Sequence, residues 1–182
     1  MSSRSATAII WSSLSLDPAS SVIASSTSEP ALIETMEIRP GQRVLDFGCG
    51  SGGVGFAAAL RAENVHVHAV DSNPRALACT AAGASLNGLG DRLTTSLSGD
   101  GSIAEPGTFD VAMGNPPYYS HYTIAEIFLQ GCKRGLKPGG RVLIVAKQTE
   151  WLIARMKQLF REVDTHEVRE YTVVTGVKFA GS

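Results

Sequence analysis

Apolar runs alternate with amphipathic or small-residue stretches along most of this chain. The pattern predicts strands near 43–47, 65–70, 93–97, 109–114 and 140–146, with helices near 52–62, 74–87, 122–135 and 149–161 between them. A further helix is expected over Glu29–Ile38, and two last strands, about 163–171 and 173–179, would finish the sheet as an antiparallel hairpin. Strand and helix taken in turn mean an α/β fold with a doubly wound, seven-stranded and mostly parallel sheet, whose ligands sit at the carboxyl ends of the strands.

The punctuation agrees with this reading. Asn73-Pro74 offers a helix cap followed by proline at the first helical position, and Lys137-Pro138-Gly139-Gly140 reads as the turn into the fifth strand. A chain of 182 residues suits one domain with a substantial core. We divide it into an N-terminal segment, 1–27, and a domain over 28–182. The first segment is Ser-rich, and serines interrupt its apolar run Ile9-Ile10-Trp11, so neither a signal peptide nor a membrane span is expected. Val22–Thr27 would instead cover a ligand site. Cys49, Cys79 and Cys132 are scattered and odd in number, which points to packing in a reducing cytoplasm and away from a disulfide framework or a zinc site.

Candidate chemistry falls at the predicted strand ends. Residues 42–55 carry an apolar strand into the glycine-rich turn Asp46-Phe47-Gly48-Cys49-Gly50-Ser51-Gly52 and then into a small-residue helix. Such a turn lets backbone N–H groups approach a nucleotide-like ligand. Asp71, ending the second strand, is spaced to accept hydrogen bonds from ribose hydroxyls. Gly48, Gly50 and Gly53 also satisfy the dinucleotide fingerprint, so a nicotinamide cofactor is one reading. Asp46 opposes it, because a pyrophosphate arriving there would meet a like charge, whereas an ammonium would be welcome. Asp100, after the third strand, is placed to reach an adenine amine. Three acids ending three strands suit a ligand with an ammonium, a ribose and an adenine.

After the fourth strand comes Asn115-Pro116-Pro117-Tyr118. This could be a plain exit turn. It could also hold a flat amino group: Asn115 offers a side-chain carbonyl, the two prolines remove backbone donors and stiffen the turn, and Tyr118 supplies a ring face.

In this order the motifs resemble those of the class I S-adenosylmethionine-dependent methyltransferases over roughly residues 25–180, and within them the small-domain methyltransferase family. The resemblance implies a Rossmann-like fold and S-adenosylmethionine as cofactor. It implies binding of that cofactor by Asp46, Gly48, Cys49, Gly50, Gly52, Asp71, Ser72, Asp100, Gly101 and Asn115, and methyl transfer to a planar nitrogen held at Asn115, Pro116, Pro117 and Tyr118. That family includes ribosomal RNA guanine-N2, transfer RNA adenine-N6 and release-factor glutamine-N5 methyltransferases. The tail, with Gly139–Ala146, Leu159-Phe160 and Tyr171–Val174, resembles the guanine branch, which makes ribosomal RNA or a ribosomal subunit the expected partner. Tyr118 departs from the Phe common in that branch and suits the other two equally. The glutamine branch usually ends in an Asp, Gly and Arg pattern that is not found in 173–182. Release-factor methylation is the second reading, adenine-N6 methylation of transfer RNA the third, and a cofactor-binding regulatory subunit the non-enzymatic one. At 182 residues the chain is not expected to carry the extra N-terminal copy of the fold found in two-domain ribosomal members.

Charge is uneven: six basic and eleven acidic residues precede position 120, and ten basic and six acidic follow. Lys133, Arg134, Lys137, Lys147, Arg155, Lys157 and Arg161 are therefore candidates for phosphate contact, against the alternative of a merely solvated surface. His66 and His68 read as packing or rim residues, and His166 falls in the final hairpin with no partner evident in the sequence. His121, near Tyr118, could reach a substrate but stays outside the catalytic set. No metal is required.

Overall fold

The computed structural model describes residues 28–117 and 122–181. The expected cover at Val22–Thr27 and the side chains of Tyr118 and His121 lie outside the described residues.

Seven strands form one sheet: β1 (Arg43–Phe47), β2 (His66–Asp71), β3 (Leu93–Leu97), β4 (Phe109–Gly114), β5 (Leu136–Ala146), β6 (Arg161–Val168) and β7 (Tyr171–Val177). Their spatial order is β3-β2-β1-β4-β5-β7-β6. The first five strands run parallel, and β7 enters antiparallel between β5 and β6. The helices are α1 (Glu29–Thr35), α2 (Gly53–Arg61), α3 (Pro74–Leu86), α4 (Thr123–Gly135) and α5 (Glu150–Leu159).

Successive residues of a strand face opposite sides. Val44, Val67, Val111, Met113, Leu143 and Val173 therefore join the cluster roofed by α1, α2 and α3. Leu45, Phe47, Val70, Ala112, Ile144 and Val174 join the second cluster, under α4 and α5. Edge strand β6 is exposed along nearly its whole length and carries Arg161, Glu162, Asp164 and Glu167, charges that discourage pairing with another chain. Asn73 caps α3 by accepting from the Arg75 N–H at 3.0 Å, as its sequence position predicts.

Three boundaries differ from the sequence expectation. The first helix stops at Thr35, three residues early, when Met36 turns to extended backbone. Lys137-Pro138-Gly139-Gly140 does not precede the fifth strand but lies inside it. Leu136 already pairs with Phe109, the register slips between Phe109 and Val111, and Gly139 takes φ +77°. The closing hairpin turns at Arg169-Glu170, with Arg169 at φ +57°, which allows Tyr171 to begin β7 as a buried residue.

Candidate active site

The strand order reverses between β1 and β4, so the loops leaving these neighbours diverge and open a crevice. Register sets the crevice level: Phe47 lies beside both Val70 and Gly114, so the turn at Gly48, the end of β2 and Asn115 emerge together. They line a cleft of about 370 Å³ with Phe47, Asp71, Ser72, Ser98, Gly99, Pro117, Ile124, Ile127 and Phe128. Four of the residues expected to bind the cofactor, Gly48, Asp71, Ser72 and Asn115, thus come together in one wall-to-wall site.

The glycine turn achieves this through close packing. Gly48 has φ +77°, and a Cβ there would lie 2.3 Å from the Phe128 ring of α4, a clash that no rotamer adjustment of the glycine position can relieve. Phe128 in turn meets Phe47 edge to face at 4.9 Å. Gly50 takes φ +55° and faces open space.

Four of the turn's N–H groups are engaged within the chain. Gly48 and Cys49 N–H groups donate to the Val70 carbonyl at 2.7 and 3.0 Å, and Gly52 donates to Cys49. Gly50 donates to Asp71 Oδ2 at 2.9 Å, and Gly55, in the first turn of α2, donates to Asp46 Oδ2 at 2.9 Å. A pyrophosphate needs such donors at a helix N-terminus. Here a protein carboxylate already occupies that place.

Asp46 is 3% exposed, behind the turn. Burial, and then the neighbouring charges of Glu29 and Asp71, push its carboxyl up to about 7 against the opposing Gly55 N–H. Glu29, at the start of α1, is also pushed up to about 7 by burial, and its Oε2 would stand 2.9 Å from a Cβ at Gly53. Two carboxyls held this far above their ordinary range form a place where an added cation is stabilised. The donor set fits an ammonium and does not fit a pyrophosphate. Glu29 was missed in the sequence because helix α1 alone carries no hint that its first turn meets the end of β1.

Asp71 accepts from Gly50 through Oδ2 and from the Asn73 N–H through Oδ1 at 2.8 Å, which fixes the carboxylate at the cleft wall. Asp100 is exposed and folds back on its own loop, where bonds from Ser102 and Ser98 hold it below the usual carboxylate range. Its neighbours Ser98 and Gly99, not Asp100 itself, line the cleft. Gly101 is buried against α4, its carbonyl accepting from Arg134 at 2.7 Å. Gly52 packs toward Phe56 and Thr80, and Cys49 is buried with Sγ 3.6 Å from Thr80 Oγ1. Burial, helped by Asp46, pushes the Cys49 thiol up to about 12, so it stays protonated at neutral pH.

On the β4 side, Pro116 is buried and Pro117 borders the cleft. Asn115 Nδ2 donates to Ser28 Oγ at 2.8 Å. An amide N–H buried without a partner costs about 1–3 kcal/mol, so this bond favours keeping the side chain against Ser28. Ile124, Ile127 and Phe128 form the apolar wall; in the sequence they are indistinguishable from an ordinary core-facing helix stripe.

Most basic residues expected to meet phosphate are engaged within the chain. Lys137 pairs with Asp110, Lys147 with Glu170, Arg155 with Glu126 and Arg161 with Glu162. Arg134 holds the Asp100–Gly101 backbone. The ion pairs among the described residues do not include Lys133 or Lys157. His68 is structural: its ring nitrogens meet Thr94 Oγ1 and Ser96 Oγ at 2.8 and 2.9 Å. Among the described residues no cluster of His, Cys, Asp or Glu is placed to hold a metal ion, and no helix is long and apolar enough to cross a membrane.

Comparison with known proteins gives a consistent result. Residues 7–175 match the family model "Methyltransferase small domain". The chain is 32% identical over 124 residues to the ribosomal RNA large subunit methyltransferase G of Streptomyces avermitilis, covering 65% of this chain and 32% of that protein. It is 33% identical over 119 residues to the ribosomal RNA small subunit methyltransferase C of Pseudomonas entomophila, covering 63% and 35%. The chain thus spans about a third of the length of these relatives. The structure of the T. thermophilus 16S rRNA N2 G1207 methyltransferase with AdoMet and guanosine shares the fold, with a TM-score of 0.70 at 22% identity over 84% of this chain and 43% of that one.

Proposed function

Because the chain belongs to the methyltransferase small domain family, we propose that it methylates an exocyclic amino group of a base in RNA, with guanine N2 of ribosomal RNA as the target and S-adenosylmethionine as the methyl donor. The observation that carries the reading is the meeting, in one cleft, of Gly48, whose turn is backed by the Asp46 carboxyl, with Asp71, Asn115 and Pro117. Ribosomal RNA methyltransferases among the relatives support the substrate class.

S-adenosylmethionine supplies an electrophilic methyl group on a sulfonium centre. Asp46 and Glu29 would receive its ammonium, and Asp71 would accept from the ribose hydroxyls. Gly48, Ser72, Ser98 and Gly99 would line its path, with Asp100 and Gly101 shaping the loop beyond. On the other side, Asn115 Oδ1 and the Pro116 carbonyl would accept the two amine hydrogens. These acceptors hold the nitrogen lone pair toward the methyl group and support the positive charge that develops on nitrogen. Tyr118 would stack the base. Once methylated, the amine is far more acidic and loses its extra proton to water, so the residues need not include a dedicated base. Withdrawing a base from a helix costs a few kcal/mol, part of which stacking offsets.

The test is tritiated-methyl transfer to small ribosomal subunits lacking the modification, unmodified transfer RNA and release factor, followed by nucleoside or peptide mass analysis. N2-methylguanosine supports the reading. Label in N6-methyladenosine or in glutamine replaces the substrate, and no label despite cofactor binding removes the catalytic role.

A further inference from the structure

We propose that Ser28 is a positioning residue for the acceptor site, fixing the side chain of Asn115 at the cleft wall, where its amide can meet the incoming amine. This rests on the methyl-transfer reading above. Ser28 is 2% exposed and stands 87 residues before Asn115, and its Oγ accepts the Nδ2 hydrogen bond at 2.8 Å.

The two ends of a primary amide have nearly the same shape and opposite polarity. Only Oδ1 can accept an amine hydrogen. The Ser28 hydroxyl can meet either end, so it fixes where the side chain stands, and the incoming amine then selects the rotation that offers Oδ1. Because Ser28 is buried, that anchor has a fixed place.

The local backbone supports the assignment. Ser28 occupies the N-cap position of α1, where a serine hydroxyl usually accepts from the second or third helical N–H. Here it makes no cap bond; its φ of −90° and ψ of −24° are already helical, and the hydroxyl oxygen serves Asn115 instead. Pro30 stiffens the turn that carries it. The adjoining Glu29 faces Asp46 and Gly53, so the N-cap and the first residue of α1 attend to the two halves of the cleft.

The experiment uses the full chain and two variants, Ser28→Ala and Ser28→Cys, the second preserving bulk while weakening the acceptor if the first is unstable. The Asn115 side-chain NH2 is followed by nitrogen-15 NMR, and kinetics are measured on whichever acceptor the wild type labels. In both variants the Asn115 resonances are expected to shift and lose exchange protection. Turnover should fall on the order of 10- to 100-fold, with KM for S-adenosylmethionine unchanged. In an Asn115→Ala background the Ser28 substitutions should add nothing. Unchanged Asn115 resonances, or an equal loss of turnover in the Asn115→Ala background, would overturn the proposal. A wild type that labels none of the acceptors defeats the methyl-transfer reading instead, and the amide resonances then decide alone whether Ser28 sets Asn115.

Discussion

On the β1–β3 side of the cleft, the key polar atoms are fixed within nearby chain: Asp71 is held by Gly50 and Asn73, and Asp46 by Gly55. On the β4 side, Asn115 is held by a serine 87 residues away. The first half is acidic, backed by backbone and tuned by burial; the second presents an amide and prolines against an apolar helix wall. A local site can be read from a motif. A site assembled across the sheet requires the fold to bring its parts together.

This contrast predicts separable failures. The largest effect is expected for Asn115→Ala, which should lower turnover on the order of 10³-fold through loss of an acceptor at the reacting nitrogen, with a far smaller loss of cofactor affinity by calorimetry. Comparable losses in both measurements would mean that the halves are not independent. Asp71→Ala should do the converse. Loss of charged hydrogen bonds to the ribose should weaken cofactor binding by about 10²-fold, while turnover at saturating cofactor stays near normal.

A smaller effect distinguishes the buried acids. Glu29 and Asp46 hold their protons up to about pH 7 in the free chain, well above the ordinary carboxylate range. For such raised groups the stabilising contribution is complete below the ordinary pKa and is lost as pH rises through about 7, where unpaired negative charge becomes buried. An ammonium ligand offsets that charge. Affinity for S-adenosylhomocysteine should therefore rise about tenfold between pH 6 and pH 8, and affinity for methylthioadenosine, which lacks the ammonium, should not. Glu29→Gln should flatten the rise. A slope that survives in Glu29→Gln would assign the effect to Asp46 alone.

The sequence made the local half legible for a physical reason. Asp46, Gly48 and Asp71 lie at the ends of consecutive strands, and strand ends in a parallel sheet share a level. The apolar strands β1 and β4 were readable from their buried residues. What escaped was long-range: Ser28 and Glu29 gain their surroundings only when α1 packs on the sheet, and Phe128 becomes a cleft wall only because Gly48 admits its ring. The misplaced start of β5 has the same origin. Pro138-Gly139-Gly140 has turn chemistry, but pairing of Leu136 with Phe109 and the bond from the Gly139 N–H to the Lys178 carbonyl extend the strand through it. The final hairpin was shifted because strand propensity around 169–171 does not reveal which residue turns.

The insertion of β7 between β5 and β6 also constrains how the protein is made. Until Tyr171–Val177 has left the ribosome, β5 has an unfilled edge and β6 has no neighbour at all. The parallel core from β1 to β5 can begin to assemble during synthesis, but that half of the sheet closes only with the last strand, which is paired to a segment some thirty residues older. A translational pause before residue 171 would therefore prolong exposure of an apolar edge, Val142–Ala146, to chaperones and to other nascent chains.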